Sequence, residues 1–307
     1  MMNKLVSVIM SVYNEESEWL RQSIESILNQ TYSNLEFIIV VDNPECQRIN
    51  ELLFEYKNKD NRIVVLKNEK NIGLVESLNK ALRNCNGEYI ARMDADDISL
   101  KCRLEKQVDY LEKNNLDFVM SNIDKIDEYG KIINKENDTS NISVSKFKNM
   151  IRYCNIATHP TWLMKKKIYI QLQGYRNINK CEDYDFVLRA LQDGFKISKM
   201  KESLLLYRIR SNSITQSSVL EQYCNSQYLR KKYCQNYKIS KISKLDIEHR
   251  YLSLDKNKCE KFDRSYYYFK KNNILRTAIS LIKDNIFREY IIYNLKLVIV
   301  MIRFRRT

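Results

Sequence analysis

The chain has 307 residues, 44% of them hydrophobic, with only 5 Gly and 2 Pro. That composition excludes a disordered or linker-rich protein and allows a full buried core. The formal charge of +14 is lopsided: Arg230 to Thr307 carries 20 Lys plus Arg against 7 Asp plus Glu, so the rest is nearly neutral and a local anionic partner is expected for the C-terminal quarter.

In chain order, Leu5 to Val12 reads as a buried strand, followed by a helical stripe of Trp19, Ile24, Ile27 and Leu28. A second strand, Leu35 to Val41, precedes a helix over Ile49 to Tyr56. Arg62 to Leu66 is a third strand, and Leu74, Leu78, Ala81 and Leu82 share one face of a third helix over Leu74 to Arg83. Glu88 to Met93 is a fourth strand. This β-α-β-α order predicts an α/β sandwich with a largely parallel sheet, whose ligands sit at the carboxyl ends of the strands. Two strands run into acids there, Val41 into Asp42 and Met93 into Asp94.

The middle is less regular. Leu100 to Asn114 reads as a helix, Phe118 to Ser121 as a short strand, 134–145 as a polar surface loop, Trp162 to Met164 as a strand, Asp183 to Asp193 as a helix and Leu204 to Ile209 as a strand. From about Val219 strand signals fade and basic helical segments follow. The expected division is a catalytic domain over 1–218 and a helical region over 219–307, with the boundary near 215–235. The eight Cys form no CxxC pair and have only two His beside them, so they read as reduced thiols in the cytosol rather than a zinc site, and no apolar signal segment precedes the first strand. Tyr290 to Ile302 is interrupted by Asn294 and Lys296 and falls short of the ~20 apolar residues a membrane span needs.

The segment Ala91 to Asp97 carries the most chemistry. A strand delivers Asp94 and Asp96 onto a turn, where carboxylates two apart can converge on a hard cation such as Mg²⁺ or Mn²⁺. The bland alternative is an acidic turn that caps the helix starting near Leu100.

At this point the chain resembles a family 2 glycosyltransferase with the GT-A fold. The matching pieces run in family order over roughly residues 5–215: Ser7 to Glu15, Ile27 to Tyr32, Glu36 to Asp42, Asn71 to Leu74, Gly87 to Asp97, His159 to Thr161, Gly174-Tyr175 and Glu182 to Asp185. The resemblance implies that Val12, Tyr13, Asn14 and Glu15 line a nucleoside pocket, and that Asp42 hydrogen-bonds the uracil of a UDP-sugar, a helix N-cap being the alternative for Asp42. It places Asn71, Gly73, Arg92 and Ala95 with the donor. Asp94 is expected at the ribose or the metal, and Asp96 as the principal ligand of Mn²⁺ or Mg²⁺. Asp183 is expected as the catalytic base with Glu182 as helper or acceptor-binding group, the alternative being that these acids merely suit a helix N-terminus. Asp185 reads as structural. An inverting displacement follows, in which Asp183 takes the acceptor proton and the metal stabilises the departing UDP.

One departure stands out: Arg210 occupies the position where many relatives carry a metal-binding His, in the run Tyr207 to Ser213. Arginine cannot bind a cation but can grip a phosphate, so either metal binding is looser or Arg210 replaces part of the metal's charge; a transferase with lost activity is a lesser reading. His159 reads as a packing or acceptor-side residue.

Residues 285–306 combine Ile286, Phe287, Ile291, Leu295, Val298, Ile299 and Ile302 with Arg288, Lys296, Arg303, Arg305 and Arg306, an amphipathic helix with basic ends. Two readings stay open, attachment to an anionic membrane surface or docking on the body. The expected partners are a UDP-sugar and a lipid-linked or oligosaccharide acceptor of O-antigen or capsule type at the cytoplasmic face of the inner membrane, with no nucleic acid. A nucleotidyltransferase would show a Gly-rich basic loop where Tyr13 to Glu16 stands, and a nucleic-acid-binding protein a recognition motif that the basic segment lacks.

Overall fold

The computed structural model describes residues 4–136, 140–210 and 218–306. Among these residues, nine strands form one mixed, mostly parallel sheet: β1 Val6–Val12, β2 Leu35–Val41, β3 Ile63–Lys67, β4 Tyr89–Arg92, β5 Ile98–Ser99, β6 Phe118–Ile126, β7 Ile132–Lys135, β8 Leu163–Lys165 and β9 Ile197–Arg208. Their order is β3-β2-β1-β4-β8-β6-β9-β5, with β7 paired to β6. β1 runs parallel to both β2 and β4, in a register that sets Val12 beside Val41 and Ile9 beside Arg92.

The helices in and beside this sheet are α1 Ser17–Leu28, α2 Gln47–Lys59, α3 Leu74–Arg83, α4 Arg103–Lys113, α5 Val144–Met150, α6 Lys166–Leu172 and α7 Glu182–Gln192. β1 and β2 are mostly apolar, broken only by Ser7, Ser11 and Glu36, because both faces are covered. Val8, Phe37 and Ile39 are fully buried there, and α1 adds Leu20, Ile24 and Ile27. Gly87 is required by close approach, since a Cβ there would lie 2.7 Å from Leu5 O and from the Ser7 backbone nitrogen.

Several local expectations change. The polar stretch 134–145 is not one loop: Asn134 and Lys135 end β7, Val144 opens α5, and 137–139 lie outside the described residues. β7 is exposed along its whole length, so it shows no alternation that would mark a strand. The strands expected at Phe118 to Ser121 and Leu204 to Ile209 are parts of long β6 and β9, whose polar residues Asn122, Asp124, Lys199 and Lys201 hid their extent. In α3 the buried face centres on Val75, Leu78 and Ala81 rather than on Leu74 and Leu82.

The C-terminal region is helical: α8 Val219–Cys234, α9 Lys244–Leu252, α10 Lys256–Lys270, α11 Ile274–Lys283 and α12 Asn285–Arg306. The chain divides into two compact units. The first holds Met1–Lys148, Ala157–Asn177 and Phe186–Ser211, and the second Asn149–Ile156, Ile178–Asp185 and Asn212–Thr307. Two short stretches from the first 218 residues thus join the second unit, and 211–217, beside the expected boundary, lie outside the described residues. The second unit has its own small core of Leu220, Tyr223, Cys224, Phe262 and Phe287. Among the described residues no helix is long and apolar enough to cross a membrane.

Candidate active site

Because β1, β2 and β4 are adjacent and parallel, their carboxyl ends open along one edge of the sheet. β1 delivers Tyr13, Asn14 and Glu15 there. The Tyr13 N–H donates to Glu15 Oε2 at 2.8 Å, which folds the segment back on itself. Tyr13 and Asn14 are exposed, Glu15 is half-buried, and Val12 is buried in the core. Burial raises the Glu15 carboxyl, the Tyr13 N–H and Arg210 oppose that rise, and Asp94 adds to it.

β2 delivers Asp42, which is buried. Asn68 Nδ2 donates to its Oδ1 at 2.7 Å, the Ile72 N–H to the same oxygen at 2.9 Å, and the Gly73 N–H to Oδ2 at 2.9 Å. The carboxylate therefore holds the loop that enters α3, taking two N–H groups that precede the helix. It does not cap the helix that follows it, whose N-cap is Cys46. Gly73 has φ +87° and ψ 163°, a conformation essentially reserved for glycine, and its N–H also meets Asn71 Oδ1 at 3.0 Å. Asn68 ties this loop to the helix, donating to Ser77 Oγ at 2.8 Å and accepting from Lys80 Nζ at 3.0 Å. A lone Asn in a polar loop carries no sequence signal of this role.

β4 delivers the acidic turn. It does not cap α4, which begins only at Arg103 with Cys102 at its N-cap. The buried guanidinium of Arg92 forms an ion pair with Asp94, and Ala95 is buried behind the turn. Arg210 Nε lies 2.7 Å from Asp96 Oδ2. Its N–H is not aimed at that oxygen, so the contact is ionic rather than a directed hydrogen bond. Asp97 is buried and accepts the Arg208 N–H at 2.9 Å on Oδ1, while Oδ2 has no hydrogen-bond partner. Burial raises the Asp96 carboxyl to about 6, with Asp94 adding and Arg210 opposing. Burial and the two neighbouring carboxylates lift Asp97 well above its ordinary range.

Arg208 organises this turn, a role not assigned to it in the run Tyr207 to Ser213. Its Nε donates to the Asp96 carbonyl at 2.8 Å and a terminal nitrogen to Gln22 Oε1 at 2.8 Å. Trp19, a residue expected in the core stripe of α1, is only half-buried and lies under both guanidiniums, 5.4 Å from Arg208 and 6.0 Å from Arg210.

The residues fit a divalent cation of the hard type. Asp94 and Asp96 are oxygen donors of the kind such a cation takes, on one turn, each facing a guanidinium, and one oxygen of the neighbouring Asp97 has no hydrogen-bond partner. Among the described residues no three His, Cys, Asp or Glu side chains are arranged to hold a metal, so a cation on Asp96 and Asp94 would complete its shell from phosphate and water.

The other expected acids, Glu182 and Asp183, belong to the second unit and open α7. Asn155 Nδ2 donates to Asp183 Oδ2 at 2.8 Å and the Tyr184 N–H to Oδ1 at 2.6 Å. Burial raises the Asp183 carboxyl to about 7, Glu182 adds to the rise, and the two hydrogen bonds oppose it. Asp185 is fully buried. His159 packs in an aromatic cluster with Trp162, 4.4 Å between ring centroids, and its Nε2 lies 2.8 Å from Tyr175 Oη. Burial and Arg92 hold its pKa well below the usual value, so it is a neutral packing residue.

Adjacent parallel strand ends that carry Asp42 and an Asp94-to-Asp97 turn, followed by a helical C-terminal region, define the GT-A class of nucleotide-sugar fold. Residues 7–173 match the family model described as glycosyl transferase family 2, and the chain belongs to that family. It is 40% identical over 235 residues to an uncharacterized glycosyltransferase of Methanocaldococcus jannaschii, covering 76% of this chain and 81% of that one. It is 38% identical to the O-antigen biosynthesis glycosyltransferase WbnJ of Escherichia coli, covering 74% and 88%. The amylovoran biosynthesis glycosyltransferase AmsE of Erwinia amylovora is 32% identical, covering 68% and 78%. The crystal structure of S. aureus TarS in complex with UDP-GlcNAc shares the fold with a TM-score of 0.62 at 17% identity, over 79% of this chain and 69% of that one.

Proposed function

We propose that this glycosyltransferase moves a sugar from a UDP-sugar to an acceptor hydroxyl with inversion at the anomeric carbon. The observation that carries the reading is the set of three parallel strand ends: Tyr13 to Glu15, Asp42 and the acidic turn open on one edge. The fold it shares with a protein crystallised with UDP-GlcNAc supports a uridine donor. Tyr13, Asn14 and Glu15, anchored by the core residue Val12, line the nucleoside side, and Asp42 with Asn71 and Gly73 shapes the base pocket. Asp94, Arg92 and Ala95 border the ribose and diphosphate.

Asp183 accepts the proton of the acceptor hydroxyl, with burial and then the neighbouring Glu182 making its carboxyl a base suited to neutral pH. The acceptor oxygen forms its bond to the anomeric carbon from the face opposite the diphosphate while the bond to the diphosphate oxygen breaks. An α-linked donor then gives a β-glycoside and UDP leaves. A Mn²⁺ or Mg²⁺ held by Asp96 and Asp94 would offset the charge of the leaving diphosphate. Arg210, already on Asp96, supplies a fixed positive charge at the same place.

The relatives in O-antigen and amylovoran biosynthesis favour a surface polysaccharide as product, with a lipid-linked glycan as acceptor at the cytoplasmic face of the inner membrane. Calorimetric titration of UDP in Mn²⁺, then in EDTA, and then on Asp96→Ala tests the donor site. Metal-dependent binding lost in the variant is the expected result. Absence of UDP binding under both conditions would overturn the uridine assignment.

A further inference from the structure

The second unit leaves a large aliphatic surface uncovered. In the first half of α12, Phe287 is buried in the small core and Ile286, Tyr290, Ile291 and Tyr293 pack against it. Beyond Asn294 the same helix turns apolar side chains outward: Leu295 is 60% exposed, Ile299 67% and Ile302 47%. Together with exposed Ile292 they recur at intervals of three and four, so they share one face. In α11 no residue is buried, and Ile274, Leu275 and Ile282 are 85%, 72% and 76% exposed. Leu275, Ile279 and Ile282 again follow helical spacing.

The two helices are held together at their junction. Asp284 alone separates them; its Oδ1 accepts the Phe287 N–H at 3.0 Å and its Oδ2 accepts from Ser265 Oγ at 3.1 Å. Arg288 reaches back to the Leu281 carbonyl at 3.2 Å. This corner is built rather than frayed, so the exposed stripes are part of the fold.

Charge selects the occupant. From Ile274 to Arg306 the sequence carries seven Lys and Arg against two acids, Asp284 and Glu289. Both acids are engaged internally, Asp284 at the buried corner and Glu289 with Arg250 at 2.6 Å. The two acids therefore offset none of this excess positive charge, and among the described side chains Lys296 is exposed beside Leu295. Arg288 uses only neutral oxygens, the Leu281 and Ile282 carbonyls and Asn285 Oδ1, which leaves its charge uncompensated. Exposed aliphatics beside uncompensated cations match a surface that is apolar below and anionic above. A single-stranded nucleic acid would call for aromatic platforms and a duplex for cations without an exposed aliphatic face, whereas these stripes are Ile, Leu and Val. Neither helix can span a bilayer.

We propose that α11 and the distal half of α12 form a docking surface that lies in the interface of an anionic lipid bilayer, the aliphatic side chains entering the acyl boundary and the basic ones meeting headgroup phosphates. This surface stands on the second unit alone and is independent of the sugar donor.

The test is flotation of the full chain with vesicles of pure phosphatidylcholine and with vesicles containing about a third phosphatidylglycerol, a headgroup charge that basic residues near the surface should detect. The wild type should float with the anionic vesicles, lose binding at high salt, and float weakly with the neutral ones. The paired variant Leu295→Glu, Ile299→Glu should bind about tenfold less, since each replaced side chain gives up its apolar burial in the interface. The pair Leu275→Ser, Ile282→Ser should do the same, and unchanged melting temperatures in both pairs would show intact folding. Equal flotation with neutral vesicles, or full binding by both folded pairs, would overturn the proposal. So would concentration-dependent dimerisation abolished by the same substitutions, which would assign the surface to a second copy, or RNA binding tighter than vesicle binding.

Discussion

The guanidinium of Arg210 lies on the carboxylate of Asp96, with Nε 2.7 Å from Oδ2. A cation of the protein itself therefore stands at the acid expected to hold the metal, steadied by the Trp19 ring.

Removing that cation should weaken the donor site. Arg210→Ala is expected to raise the donor KM about tenfold, a loss of roughly 1.4 kcal/mol, and Arg210→Lys should recover only part because it lacks the planar fork. Arg210 opposes the rise of the Asp96 carboxyl, so its loss should push that carboxyl above about 6 and make UDP binding weaken toward acid pH. Calorimetry at two pH values reads both effects. Unchanged UDP affinity in Arg210→Ala would reduce Arg210 to a packing partner of Trp19.

The activity should follow the ionisation of Asp183. Its carboxyl sits at about 7, so as a base it works only when deprotonated, and kcat/KM should rise through that pH to a plateau above it. Asn155 donates to the carboxylate and so lowers its pKa; Asn155→Ala should move the rising limb to higher pH. The stability effect has the opposite sense. A carboxyl raised in the folded state stabilises the fold in acid and loses that contribution as pH climbs from its ordinary range through about 7. Asp183→Asn should therefore be inactive yet melt higher than the wild type at pH 8. A rate profile flat between pH 6 and 8 would remove Asp183 as the base.

Asp42 should matter to stability as well as to the nucleotide. Asp42→Ala leaves the Ile72 and Gly73 N–H groups and Asn68 without their acceptor. The expected cost is about 2–4 kcal/mol in urea unfolding, since each stranded polar group costs on the order of 1–3 kcal/mol. UDP affinity should fall with it. A fully stable variant would contradict the three hydrogen bonds.

Gly73→Ala should destabilise by about 1–3 kcal/mol through backbone strain alone, because a Cβ would meet no atom within 4 Å at a φ of +87°. Urea unfolding measures it, and Asn71→Ala, which removes one hydrogen bond to the same N–H, should cost less.

Much of the architecture was legible in the sequence. The apolar runs of β1 and β2, the amphipathic spacing of α1 and α3 and the acids at Asp42 and Asp94 to Asp97 are local patterns, and the parallel order follows from their alternation. The ordered motifs from Ser7 to Asp185 likewise made the family readable from sequence. Buried periodicity is a property of neighbouring residues, so it survives in a string of letters.

What only the tertiary structure decided is which distant groups meet. Arg208 and Arg210 come from the end of β9 to the turn after β4, and Trp19 from α1 slides beneath them. Asn68 finds Asp42, and Asn155 finds Asp183. Exposure of the stripes on α11 and α12 is equally a tertiary fact, because an apolar face looks the same in sequence whether a core covers it or not. Such pairings depend on register and packing across long loops of chain. The charge balance and carboxyl pKa values they set therefore cannot be read from spacing.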